Sequence, residues 1–179
     1  MFKETFKFIR LMLAHIVKVY HRHRISTRIE KRIRKEEVKQ VKGIYMVVDT
    51  GTVAAVTGIT DDPCAAALQY NVVEATARGF VPTTRRIIVI NDELNRTNDK
   101  TLVAAISLHE FAHHYFDHLK DGSREGTIEV EFEADRYVFD HNREAAVALE
   151  AYLRKSGEKY NNITSLRRAT RLTALLERE

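Results

Sequence analysis

Apolar positions along this chain repeat with two different periods, and the alternation between them predicts the elements. Helical spacing governs Phe2, Phe6, Ile9, Leu13, Ile16, Val17 and Tyr20 near the start, and Leu102, Ala105, Ile106, Ala112 and Phe116 within 99–119. It returns over 127–154, and again through Ile163, Leu166, Ala169, Leu172 and Leu176 within 162–177. Asp62–Ala77, opened by Asp62-Pro63 and closed near Gly79, reads as a further helix. Ile44–Asp49 and Thr52–Thr57 flank Thr50-Gly51 as a β-hairpin, and Arg86–Asn91 reads as a short strand entering the 99–119 helix. The expected fold class is therefore α+β, with helices packed on a small antiparallel sheet.

Composition limits the domain count. At 179 residues and 44% hydrophobic content the chain can bury one sizeable core, and it has no internal repeat or low-complexity tract. The single cysteine, Cys64, excludes an intramolecular disulfide, suits a reducing compartment, and reads as a small core residue on the 62–77 helix.

Charge divides the chain further. Residues 1–42 carry 13 Lys and Arg against 4 Glu, whereas the remainder carries 16 against 21, so a chain of net charge +4 has a strongly basic beginning. This sets off 1–42 as a basic, amphipathic helical segment from a domain over 43–179. Arg10, His15 and Lys18 interrupt the apolar run well short of a membrane span, and no small-residue cleavage site precedes His21-Arg22-His23-Arg24. Packing on the domain or contact with an anionic membrane surface remain for this segment. A nucleic acid partner is disfavoured, because no DNA-binding motif or interleaved aromatics accompany the charge. The expected location is cytoplasmic, with a peripheral membrane site as the second option.

The chemistry concentrates at His109-Glu110-Phe111-Ala112-His113, an H-E-x-x-H pattern inside the 99–119 helix. Imidazoles at i and i+4 share one helix face and can hold one metal ion, with the intervening glutamate beside them as a general base. A catalytic zinc needs a third ligand and an open position for water. Glu131 supplies the ligand: it shares a face with Ala134, Asp135 and Val138, although a two-residue slip in register would substitute Glu129 or Glu133. Asp135, one turn later, can accept a hydrogen bond from a ligand imidazole. His118 lies nine residues beyond His109, about 180° round a continuous helix. The metzincin pattern, which needs Gly at 116 and His at 119, is excluded by Phe116 and Leu119.

HEFAH at 109–113 followed by EFEAD at 131–135, within a region reaching back to Ile87, resembles the catalytic core of the gluzincin metallopeptidases of the HtpX and CAAX-prenyl-protease type. Members of that family pair HExxH with a downstream E-x-x-A-D and commonly carry a histidine five residues after the second ligand, as His118 stands here. The short interval between ligands is closer to the small soluble gluzincins, and the ImmA/IrrE-type peptidases are next in similarity. The resemblance covers about residues 44–140. It implies a zincin-like domain and a Zn2+-dependent endopeptidase acting on protein or peptide, with 86–91 bordering the cleft and pairing with extended substrate. On that reading His109, His113 and Glu131 hold zinc and Glu110 is the base; a further donor is needed for the oxyanion, for which His141, Arg143 and Tyr137 are candidates by position alone. The competing function is a catalytically silent zinc-binding protein that acts through its basic segment.

Overall fold

The computed structural model describes residues 2–35, 40–59, 61–77, 79–119 and 127–178, with backbone alone at 2–9, 15, 18 and 35. The turn expected at Asp121-Gly122-Ser123 lies outside these residues. The chain divides into two compact units, residues 1–38 and 39–179. The first is a single helix, α1 (Phe2–Lys35), rather than a succession of shorter ones. Its polar interruption at Ser26 and Thr27 does not break it, because both hydroxyls donate to the helix's own His23 carbonyl, at 2.9 and 2.8 Å.

The second unit runs β1 (Gln40–Val41), β2 (Ile44–Val48), α2 (Thr50–Thr57), β3 (Ala65–Thr76), β4 (Gly79–Ile90), α3 (Asp92–Arg96), α4 (Lys100–Tyr115), α5 (Ile128–His141), α6 (Arg143–Lys159) and α7 (Ile163–Leu176). The class is α+β, as expected. The sheet, of order β1-β2-β4-β3, is mixed rather than antiparallel: β2 and β4 run parallel while β1–β2 and β3–β4 are antiparallel. Lys42 and Gly43, at φ 49° and 79°, make the two-residue left-handed turn that a tight β1–β2 hairpin demands.

Two predicted elements change type. The run 52–57 is not the second arm of a hairpin but part of α2, because the Asp49 side chain caps it by accepting from the Thr52 amide and Gly58, at φ 76°, closes it. The stretch 62–77 is not a helix. Its alanines favour one, but twelve consecutive residues pair with β4 around Gly79 at φ 110°, and burial alternates from Tyr70 to Ala75 as it does on a strand. The strand foreseen at 86–91 is thus the inner end of a longer β4, flanked on both sides. Its place at a sheet edge is taken by β3.

The long helix foreseen over 127–154 is two helices meeting at Asn142. That residue is extended at φ −157°, ψ 97°; its N–H closes α5 on the Val138 carbonyl, and its side chain opens α6 by accepting from the Ala145 amide at 3.0 Å. Helix α4 lies between two cores. Ala105 joins Val138, Ala145, Ala146, Leu149, Leu153, Ala169 and Leu172 of the helical layer. Its neighbour Ile106 joins Ile44, Ala65, Ile88 and Leu94 of the sheet layer. Alanines at four of the helical-layer positions allow close helix approach, and the large residues fill what they leave.

This packing gives a stability test. Leu172 is fully buried in the helical core and Ile163, on the same helix, is 69% exposed. Leu172→Ala is expected to cost about 2–5 kcal/mol by chemical denaturation, against no more than about 0.5 kcal/mol for Ile163→Ala. Equal losses would contradict the packing of α7 described here.

Candidate metal centre

Three helices bring the chemistry-bearing side chains together. Asp99 caps α4 by accepting from the Leu102 amide at 2.9 Å. The Ala105–Ile106 pair then fixes the helix between both cores, so that one turn later His109, Glu110 and His113 enter the interior instead of water. On α5 the buried Ala134 and Val138 set the inward face, which Glu131 and Asp135 share. Glu131 sits in the first turn, where the free amide groups of a helix favour a carboxylate.

His109 Nε2 lies 3.2 Å from His113 Nε2 and 3.2 Å from Glu131 Oε2, and His113 Nε2 lies 3.7 Å from Glu131 Oε1. Among the described residues these three form a buried group whose donor atoms converge within 4.8 Å. A tetrahedral ion with bonds of about 2.0–2.1 Å separates its ligands by about 3.3 Å. The two imidazole nitrogens stand close to that spacing from each other and each has a Glu131 oxygen near it, His109 meeting Oε2 and His113 meeting Oε1; two imidazole nitrogens with one carboxylate are a donor set that suits zinc. The register that selects Glu131 over Glu129 or Glu133 is the one the backbone adopts.

Each of the two histidines is oriented from behind. His109 Nδ1 lies 2.9 Å from Asp135 Oδ1, so its N–H donates there and its Nε2 lone pair faces the other donors. His113 Nδ1 lies 3.1 Å from His118 Nδ1, and His118 Nε2 lies 3.0 Å from Glu133 Oε2. With Nε2 as the inward acceptor, His113 donates from Nδ1 to His118, which in turn donates to Glu133. His118 is not on the far side of a continuous helix. The α-helix ends at Tyr115, Asp117 turns back at φ 58°, and the His118 amide bonds the His113 carbonyl at 2.9 Å. The histidine five places after the second ligand was the available signal; the helix end that gives it a role was not. His114, also buried, serves packing: it bonds the Ile87 carbonyl of β4 at 3.0 Å, and burial holds it below the usual imidazole range despite that bond.

Arg168 of α7 is the residue sequence reasoning missed. Its Nε and Nη2 donate to Asp135 Oδ2 and Oδ1 at 2.8 and 2.7 Å, and Nη1 donates to Glu131 Oε2 at 2.9 Å. Nη2 also lies 3.2 Å from both ring nitrogens of His109. An in-plane approach equidistant from both would collide with Cε1, so Nη2 stands out of the plane of the imidazole ring. Burial alone would raise the Asp135 carboxyl, and Arg168 outweighs it, bringing the group down to about 2. For His109, burial and Arg168 oppose protonation, but Asp135 and Glu131 outweigh them and raise its pKa.

Glu110 points toward the sheet, where its Oε2 accepts from the Ala67 amide of β3 at 2.6 Å. Beside these groups opens a cavity of about 270 Å3 with an apolar wall from Ile59, Ile106, Leu149 and Leu153. Cys64 also lines it; burial, with Glu110 and Asp62, pushes its thiol up to about 12, so it stays neutral. It is a small buried residue as expected, though just before a strand rather than on a helix. The oxyanion candidates are held elsewhere. His141 is exposed at the end of α5, where its Nδ1 bonds the Tyr137 carbonyl and its ring stacks on Tyr137 at 3.8 Å. Tyr137 joins an aromatic group with Phe111, Tyr115 and Phe116, and Arg143 donates to the Leu176 carbonyl at 2.7 Å. None of the three lines the cavity.

Two outcomes follow for the orienting residues. Asp135→Ala and His118→Ala are each expected to weaken zinc affinity by about 10–100-fold in a competition titration while leaving a folded domain, and an unchanged affinity would reduce either to packing. Arg168→Gln leaves buried carboxylates short of a cation and is expected to cost about 3–5 kcal/mol in metal-free protein, with part of the loss recovered in zinc. Equal destabilisation with and without zinc would show that arginine and metal do not share those carboxylates. No family model, curated protein or solved structure matches this chain.

Proposed function

We propose that the chain is a zinc-dependent endopeptidase whose 39–179 unit is a zincin-like catalytic domain. The observation that carries this reading is the buried convergence of His109, His113 and Glu131, whose donor atoms lie within 4.8 Å of one another, with Glu110 next to them on the same helix turn and a cavity alongside. When bound, Zn2+ supplies a Lewis acid that polarises the scissile carbonyl and lowers the pKa of its water from about 15.7 toward about 7.

The chain's own residues do the rest. Glu110 is the general base: the Ala67 amide anchors Oε2, and the carboxylate takes the water proton and returns it to the leaving amine. Asp135 and His118 fix the ligand tautomers, and Arg168 keeps Asp135 ionised and Glu131 in place. Extended substrate is expected along β3. The Ala67 N–H points away from β4 toward Glu110 rather than into the ladder, and the outer side of β3, on which no described strand pairs, passes from buried residues beside Glu110 to partly exposed ones from Leu68 onward. The apolar wall of the cavity suits a nonpolar side chain next to the scissile bond.

The decisive measurements are metal content and proteolysis by the full chain. About one zinc per chain is expected, lost in His109→Ala, His113→Ala and Glu131→Ala and kept in Glu110→Gln. Cleavage of casein should be abolished by a chelator, restored by zinc, and absent in Glu110→Gln. Zinc at full occupancy with no cleavage of any unfolded protein would favour the silent metal-binding alternative, and retention of zinc by Glu131→Ala would overturn the ligand set.

A further inference from the structure

The surface of α1 is the largest chemical feature that the metal centre leaves unexplained. Met12, Ile16 and Tyr20 stand in one line at four-residue spacing and are 47%, 56% and 63% exposed. Leu13, Val17 and Val19 widen the stripe on either side and are also half exposed or more. From Leu11 to Tyr20 it extends about 15 Å along the helix. Water-facing aliphatic side chains in such number call for a covering surface. Charge decides which. Arg10 and Arg22 are exposed on the two flanks of the stripe, with Arg24 just beyond its end, and residues 1–42 carry 13 basic against 4 acidic side chains. No described helix is long and apolar enough to cross a membrane.

We infer that α1 lies along the surface of an anionic lipid bilayer, with the Met12–Ile16–Tyr20 line among the acyl chains and the flanking arginines at the headgroups. A self-associating helix would also cover the stripe, but it would bring two strongly basic segments together, whereas an anionic surface complements them. Each basic side chain at such a surface adds to the attraction, and salt screens it within about 10 Å. The apolar stripe supplies the part of the binding that salt does not remove.

The test uses the full chain with vesicles of phosphatidylcholine alone or with about one third phosphatidylserine. Co-sedimentation with the anionic vesicles is expected, falling at least about tenfold as salt rises from about 0.05 to 0.5 M, with weak binding to neutral vesicles. The triple variant Met12→Gln, Ile16→Gln, Tyr20→Gln should lose about tenfold or more, and so should Arg10→Gln, Arg22→Gln, Arg24→Gln, which leaves the stripe intact should the first variant lose helicity by circular dichroism. The chain has no tryptophan, so Ile16→Trp places one reporter on the stripe, and its emission should shift to the blue with anionic vesicles. Equal binding to neutral vesicles, full binding by both triple variants, an unshifted emission, or a stable dimer with no vesicle binding would each overturn the inference. Zinc content and casein cleavage of the same variants are expected to be unchanged, so this result and that of the peptidase test are independent.

Discussion

Three carboxylates, Glu110, Glu131 and Asp135, are buried within the reach of one arginine and two histidines, and the charge balance of that cluster governs the centre of the domain. Arg168 answers one negative charge and no more. The remaining demand is visible in His109, whose pKa rises although burial and a neighbouring guanidinium both oppose protonation. A proton on imidazole and a divalent ion between the donors meet the same demand in different ways. Only the ion also uses the in-plane lone pairs that Asp135 and His118 direct inward. Desolvating an uncompensated carboxylate costs several kcal/mol.

The helices that carry the cluster are held by apolar contacts far less demanding than the cluster itself. Ala105 and Ile106, adjacent on α4, serve the helical and sheet cores respectively, so any rotation of α4 that withdrew His109 would also empty one of those contacts. On α5, Ala134 and Val138 do the same for Glu131 and Asp135. Position is thus imposed by packing, and tautomer by hydrogen bonds.

The parts legible in sequence were those that depend on neighbours along the chain. The i, i+4 histidines and the inward stripe of α5 depend on local spacing, which a helix translates directly into direction. The parts that were not legible depend on distant partners. Arg168 follows Asp135 by thirty-three positions and sits beside the apolar stripe of α7 like any solvated arginine; only the crossing of α7 over α5 gives it meaning. The Ala-rich run at 65–67 favours helix locally, and pairing with β4 overrides it. For 50–57 the competing signals were both local: Thr50-Gly51 resembles a hairpin turn, but Asp49 as a cap and Gly58 as a stop outweigh it.

The exchange of helix for strand at 65–76 also matters for the site. Had β4 been the edge, the backbone next to Glu110 would belong to the strand that leads into α3. With β3 outside it, the edge is instead a long arm whose Ala67 amide is spent on the Glu110 carboxylate. Among the described residues no strand pairs with the outer side of β3, and an edge of that length invites association with other strands unless charge or proline blunts it. Here proline and arginine, Pro82, Arg85 and Arg86, lie on the paired strand, while β3 has only Glu74. An edge so lightly guarded, with Glu110 bonded to one of its outward amides, supports the proposal that extended peptide pairs there.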